Sequence, residues 1–156
     1  PPLQVNEHYS LYILPDWRDV NGVSLKGSYH KTFYTAIRDS ISPDPGNWSI
    51  QEPAAGSLQS IQISFPEALD YVLISKTMRI VDENNYEVKG AFHVSNNEAV
   101  LKFVPGEAWK AASYRLEIES RLEDLAGNNL NHLFDTDLEQ KQPTPKTVFK
   151  KSFRVN

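Results

Sequence analysis

The sequence predicts an all-β fold: an antiparallel β-sandwich preceded by one extra β-hairpin. Three observations carry that expectation. Short runs of alternating apolar and polar residues recur along the chain, punctuated by Gly, Pro, Asn and Asp. Helical periodicity is nearly absent, with room for a turn or so at 66–74 and 107–111. A stretch near the start of the chain also returns later at a constant offset of 105 positions.

The repeat sets the organisation. Tyr9 to Leu25 matches Tyr114 to Leu130, with identities at Tyr9/Tyr114, Leu11/Leu116, Ile13/Ile118, Asp19/Asp124, Gly22/Gly127 and Leu25/Leu130. In the second copy Tyr114, Leu116 and Ile118 alternate with Arg115, Glu117 and Glu119, a period of two that buries one face and wets the other. Asp124 then opens a turn in which its carboxylate accepts backbone N–H groups, and Gly127 supplies a positive φ. Each copy closes with another alternating strand, marked by Phe33 and Thr35 in the first and by Phe153 and Val155 in the second. The repeated unit is a β-hairpin.

Between the copies, Ser42-Pro43-Asp44-Pro45-Gly46-Asn47 is dense in turn formers and reads as a linker. Strand candidates follow in order. Ile61, Ile63 and Phe65 alternate with Gln62 and Ser64, and Met78 and Ile80 with Thr77 and Arg79. Tyr86 and Val88 lie across an Asn84-Asn85 turn from that second strand. Phe92 and Val94 follow Gly90, and Leu101 and Phe103 run to Pro105-Gly106. The expected parse is a terminal hairpin of an incomplete repeat over 1–40, a linker over 41–47 and a complete sandwich over 48–156. A lone two-stranded hairpin is marginal in water. Residues 1–40 must therefore pack on other structure, with the complete domain expected before another molecule.

Composition narrows the function. Of 156 residues, 40% are hydrophobic and 11% aromatic, enough for a real core and too apolar for disorder. The net charge of −4 is mild and its signs are interspersed, so no basic face is available for phosphates and no nucleic-acid partner is predicted. The absence of cysteine excludes a disulfide scaffold, a thiolate metal site and a cysteine nucleophile. No apolar run approaches the roughly 18–20 residues of a membrane span, and no membrane insertion is expected. Pro1-Pro2-Leu3-Gln4-Val5 reads as the middle of something longer.

Four segments together resemble a known family. Ile63-Ser64-Phe65-Pro66-Glu67-Ala68-Leu69-Asp70 is similar to the F-x-E-x-L-D strand end of the bacterial SbsA-type Ig-like domains. Ile80-Val81-Asp82 through Val88-Lys89-Gly90 resembles their V-x-D-x-x-G-x-x-V-x-G hairpin, and Leu101 to Pro105 their L-x-F-x-P strand. Tyr114 to Ile118 with Glu123 to Asn128 resembles their closing Y-x-L-x-I and D-x-A-G-N signature. The resemblance implies an Ig-like antiparallel β-sandwich, preceded here by the closing hairpin of a truncated upstream repeat. It also implies a spacer or binding module found in tandem in bacterial S-layer and other envelope or secreted proteins. The family brings no general catalytic residues. The long loop 131–147 departs from its pattern.

Each candidate site has a structural reading beside the chemical one. Asp135, Asp137 and Glu139 alternate in the long loop and offer oxygens suited to calcium. The EF-hand glycine and closing bidentate glutamate are missing, so a solvated acidic loop is expected and no metal is predicted. Asp19 and Asp124 read as turn caps. His8, His30, His93 and His132 are scattered, with no pair at metal-ligand spacing and His93 pointing to solvent. Glu117 and Glu119 lie two apart on a strand, hence together on its wet face. Glu67 and Asp70 match the family's structural E-x-L-D. Trp17, Trp48 and Trp109 with Tyr12, Tyr29 and Tyr34 suit a sugar-stacking platform, although Trp109 reads as core and Tyr12 faces away from Leu11 and Ile13. Asn47-Trp48-Ser49 is a glycosylation sequon.

The sequence thus predicts no catalytic residue, cofactor or metal ligand, and no enzyme. It predicts a non-catalytic structural or interaction module of a larger bacterial secreted or cell-surface protein. Its partners would be the neighbouring Ig-like domains of the parent chain, another protein or a polysaccharide. The alternative is a carbohydrate- or calcium-binding module appended to an adhesin or enzyme.

Overall fold

The computed structural model describes residues 3–135 and 144–156, which fall into two compact units, Pro1–Asp39 and Ser40–Asn156. The first unit is a hairpin of β1 (His8–Ile13) and β2 (Tyr29–Tyr34). Its antiparallel register sets Tyr9 opposite Phe33, Leu11 opposite Lys31 and Ile13 opposite Tyr29. Tyr9 and Phe33 stack at 5.8 Å on that face, and Tyr12 stacks on His30 at 4.4 Å on the other. The predicted alternation is present, but the burial expected of it is not. Leu11 stays 50% exposed and Tyr29 52%, as a two-stranded unit holds only one layer of its own.

The second unit is a two-layer sandwich. One sheet holds β3 (Ser49–Gln51), β4 (Ile61–Ser64), β6 (Gly90–Ser95) and β7 (Val100–Pro105), in the order β3-β4-β7-β6. The other holds β5 (Met78–Val81), β8 (Ala112–Glu119) and β9 (Val148–Val155), in the order β5-β8-β9. Every pairing is antiparallel. With β3 to β9 renamed A to G, this is the ABED and CFG arrangement of a constant-type immunoglobulin sandwich. The expected fold class holds.

The period-two pattern explains the layers. Ile61, Ile63, Leu101 and Phe103 point inward from the first sheet and meet Ile80, Leu116, Ile118 and Phe153 from the second. Each fully buried side chain of this kind stabilises the fold by about 1.5–3 kcal/mol. Trp109 seals one end of the core, edge-on to Tyr114 at 5.1 Å, with its indole N–H donating to the Gln59 carbonyl at 2.8 Å. The Tyr114 hydroxyl reaches back to Lys110, donating to its carbonyl at 3.2 Å, which is the tyrosine corner of Ig sandwiches.

Three local expectations need correction. The helical turn foreseen within 66–74 is α1 (Tyr71–Thr77), capped by Asp70, whose carboxylate accepts from the Leu73 N–H at 2.8 Å. Thr77 belongs to that helix rather than to the following strand, its buried hydroxyl donating to the Leu73 carbonyl at 2.8 Å. Tyr86 and Val88 do not form a strand. A single bridge, Val81 to Glu87, pairs there among the described residues, closed by backbone bonds from Asp82 N–H to the Tyr86 carbonyl at 2.9 Å and from Val88 N–H to the Ile80 carbonyl at 2.8 Å.

Residues 40–47 lie within the second unit. Pro43 and Pro45 are buried, and a 3-10 turn at Pro45–Asn47 is capped by Asp44. Trp48 is core, meeting Phe65 edge-on at 4.7 Å.

Candidate functional site

The most regular polar feature is a five-residue turn built around an aspartate, used three times. Asp124 Oδ1 accepts from the N–H groups of Ala126 at 2.8 Å and Asn128 at 2.9 Å. Asp19 Oδ1 accepts from Asn21 and Val23, both at 2.9 Å. Asp82 Oδ1 does the same for Asn84 at 2.9 Å and Tyr86 at 2.8 Å. In each turn the fourth residue takes a positive φ, Gly22 at 80°, Gly127 at 85° and Asn85 at 67°. A side chain that accepts from two backbone donors in this way serves as a cap of its own turn. The hydrogen bond from Val23 N–H holds the Asp19 carboxyl below its usual value against the opposing effect of desolvation, helped by bonds from Asn21 and Gly22. Asp124 is buried, and its second oxygen accepts from the Asn128 side chain at 2.8 Å.

Asp82 is the turn that sequence reading missed as a repeat of the same device. Its left-handed position carries Asn85 where the other two carry glycine, and asparagine is the residue other than glycine that visits this region most readily.

Glu117 overturns the reading of a plain wet face. It stands on the outer side of the central strand β8, opposite Arg79 on β5 and Lys150 on β9. Its Oε2 accepts from Arg79 Nε at 3.0 Å and Nη2 at 2.8 Å, and Lys150 Nζ lies 3.3 Å from Oε1. The two long cations fold their stems over it, leaving Glu117 7% exposed. Burial raises its pKa, but the hydrogen bonds and charges of Arg79 and Lys150 outweigh burial and hold it below the ordinary glutamate value. Glu119 remains exposed and pairs with Arg121 at 2.6 Å.

The other candidates disperse, except that the carboxylates of Glu67 and Asp124 come within 4.8 Å of each other. Trp48 and Trp109 are core residues, which dismantles the three-tryptophan platform; Trp17, Tyr12, Tyr29 and Tyr34 stay exposed on the first unit. His93 is exposed on β6, as its alternation predicts, and His30 is engaged with Tyr12. Asp70 is the α1 cap, and Glu67 is half-buried in the loop before it. Asn47 donates its amide to Asp44 at 3.2 Å. Asp135 is exposed, whereas Asp137 and Glu139 lie outside the described residues. A cleft of about 260 Å³ runs past Asp82, Tyr86, Glu87, Lys89, Trp109 and Tyr114. Its Trp109 and Tyr114 are buried and packed against each other and Phe153, so the exposed ring of this cleft is Tyr86. No helix among the described residues is long and apolar enough to cross a membrane.

Seven antiparallel strands in Ig order among the described residues, with a tyrosine corner, define an Ig-like sandwich. The chain belongs to the bacterial Ig-like domain family, whose model matches residues 39–142. Among solved structures it is similar to the crystal structure of the S-layer protein rSbsC(31-844), at a TM-score of 0.47 and 15% identity, covering 70% of this chain and 14% of that one. No curated protein matches the sequence.

Proposed function

We propose that the chain is a structural module of a larger bacterial surface protein, in which Ig-like repeats of the SbsA type follow one another as spacers. In this reading residues 1–40 are the closing F–G hairpin of an incomplete repeat, 41–47 connect it onward and 48–156 form the complete repeat. The work of such a module is strand pairing and interface packing, with no covalent step. Its partners are the neighbouring Ig-like domains of the parent chain, and its place is the cell surface or envelope.

One observation carries the reading. The hairpin of the first unit and the F–G hairpin of the second share their register, their Asp-centred turn and the backward reach of their first tyrosine. Tyr9 accepts from the Gln4 N–H at 2.8 Å where Tyr114 binds Lys110. Such duplication is what a tandem array produces.

Thermal unfolding with and without calcium and a panel of polysaccharides tests it. A ligand that binds only the native state raises the midpoint by mass action. The expected result is no shift with any of them. A shift of several degrees with calcium, lost when Asp135 and Asp137 become Asn, would replace the spacer by a metal-stabilised binding module.

A further inference from the structure

The register of the two hairpins extends their likeness beyond the stretch that sequence comparison aligned. Along β8 and β9 the core-facing cross-strand pairs are Tyr114 with Phe153, Leu116 with Lys151 and Ile118 with Phe149. Along β1 and β2 the same three positions read Tyr9 with Phe33, Leu11 with Lys31 and Ile13 with Tyr29. The first strands are offset by 105 positions and the second by 120, because the loop of the second copy is longer by 15 residues. The stacking agrees as well: Tyr114 lies over Phe153 at 5.6 Å and 16°, Tyr9 over Phe33 at 5.8 Å and 25°.

The two faces differ in what covers them. Leu116 and Ile118 are fully buried in the sandwich core, and Lys151 spans the sheet edge to donate to the carbonyls of Pro45 at 2.9 Å and Gly46 at 3.2 Å. An inward-pointing lysine at a sheet edge is a device for an edge strand that borders another layer. Leu11, Tyr29 and Phe33 are exposed, and Lys31 with them.

We propose that the face made by Tyr9, Leu11, Ile13, Tyr29, Lys31 and Phe33 is a docking surface for the A-to-E strands of another Ig-like repeat, supplied by the parent chain upstream of this hairpin. The proposal rests on the tandem-repeat reading above and adds the surface and the chemistry of its occupant. The occupant presents branched aliphatic side chains in the places of Ile61, Ile63 and Leu101, which Leu11 and Ile13 meet. It also presents backbone carbonyls at the start of its first strand, where Lys31 ends. At the position equivalent to Trp109 the first unit carries Gln4, so the occupant itself must cover the Tyr9 and Phe33 rings. A second copy of this chain is a poor fit, because its own A-to-E strands are already closed by β8 and β9.

The test compares the 156-residue chain with the parent chain that includes the sequence upstream of residue 1, by amide hydrogen exchange and thermal unfolding. In the parent chain the amides of β1 and β2 are expected to exchange at least ~100-fold more slowly than in the 156-residue chain. Leu11→Glu should abolish that protection, while Tyr12→Ser, on the opposite face, should leave most of it. In the 156-residue chain Leu11→Glu should leave the unfolding midpoint unchanged. Four results would overturn the proposal. They are equal exchange in both chains, equal sensitivity to Leu11→Glu and Tyr12→Ser, a midpoint lowered by Leu11→Glu in the shorter chain (packing on its own sandwich), and a dimer of the shorter chain dissolved by Leu11→Glu. Deletion of residues 1–39 tests the underlying domain parse separately, since it asks only whether the sandwich unfolds cooperatively alone.

Discussion

At the scale of single residues, aspartates hold the turns and one glutamate holds a sheet face. Asp124 is buried and satisfies two backbone N–H groups and one side-chain amide, so its removal strands donors away from water. Asp124→Ala is expected to cost about 1–3 kcal/mol, seen as a lower urea midpoint at unchanged slope. Asp19 makes the same backbone bonds on an exposed turn where water can replace it, and Asp19→Ala should leave the sandwich transition where it is. For Glu117 the sign follows from its depressed pKa. The group stabilises the fold while ionised, so its contribution is full above the ordinary glutamate value near 4.5 and is lost as pH falls below that toward the lower native value. Urea midpoints measured from pH 7 to pH 3 should fall more steeply below pH 4.5 in the wild type than in Glu117→Gln. Equal slopes in the two proteins would remove Glu117 from the acid limb. The roles of Asp19 and Asp124 were legible in the sequence because an aspartate and a glycine recur at fixed spacing. The burial of Glu117 was not, because alternation assigns a residue to a face but not to the cross-strand neighbours that roof it over.

At the scale of elements, the strands with strict alternation were found where the pattern put them, and the misses have local causes. β3 is only three residues long and lies between Trp48 and Pro53, too short to show a period. The helix α1 runs past its expected end to Thr77, whose hydroxyl donates to the Leu73 carbonyl one turn back, although a β-branched residue beside Met78 and Ile80 reads as strand. The second strand of the duplicated hairpin lies outside the constant offset because the loop before it had changed length; the sequence matched Phe33 with Phe153 by alternation, and the pairing register adds that each stands opposite the first tyrosine, Tyr9 or Tyr114. Gly90 shows how closely two neighbouring strands approach. A Cβ there would sit 2.4 Å from the Phe103 ring and 2.4 Å from the Val104 carbonyl oxygen. Phe103 is core and Val104 O is backbone, so neither can yield cheaply. Gly90→Ala should destabilise the sandwich by about 1–3 kcal/mol, the cost of overpacking, although alanine usually favours an ordered chain over glycine. Urea unfolding of that variant decides it, and an unchanged or raised midpoint would mean that β6 can slide away from β7 without loss.

At the scale of the whole molecule, the two units predict different dependence on each other's presence. Residues 40–156 contain all seven strands of the Ig order, both sheets of the core and the tyrosine corner. Among the described residues every strand of β3 to β9 finds its pairing partners within that set. A domain of this size with one continuous core unfolds in a single cooperative step. Deletion of residues 1–39 should therefore leave one transition, with a urea slope in the range of about 1–3 kcal/mol per molar expected for a domain of that size. The converse deletion should behave oppositely. Residues 1–39 alone carry two strands and an exposed apolar face, which falls short of the three strands or opposing layer that independent stability requires. By circular dichroism and amide exchange that fragment should lack a cooperative transition. If instead the shortened sandwich lost its cooperative unfolding, its core would depend on residues that the strand order assigns elsewhere, and the division at residue 39 would have to be redrawn.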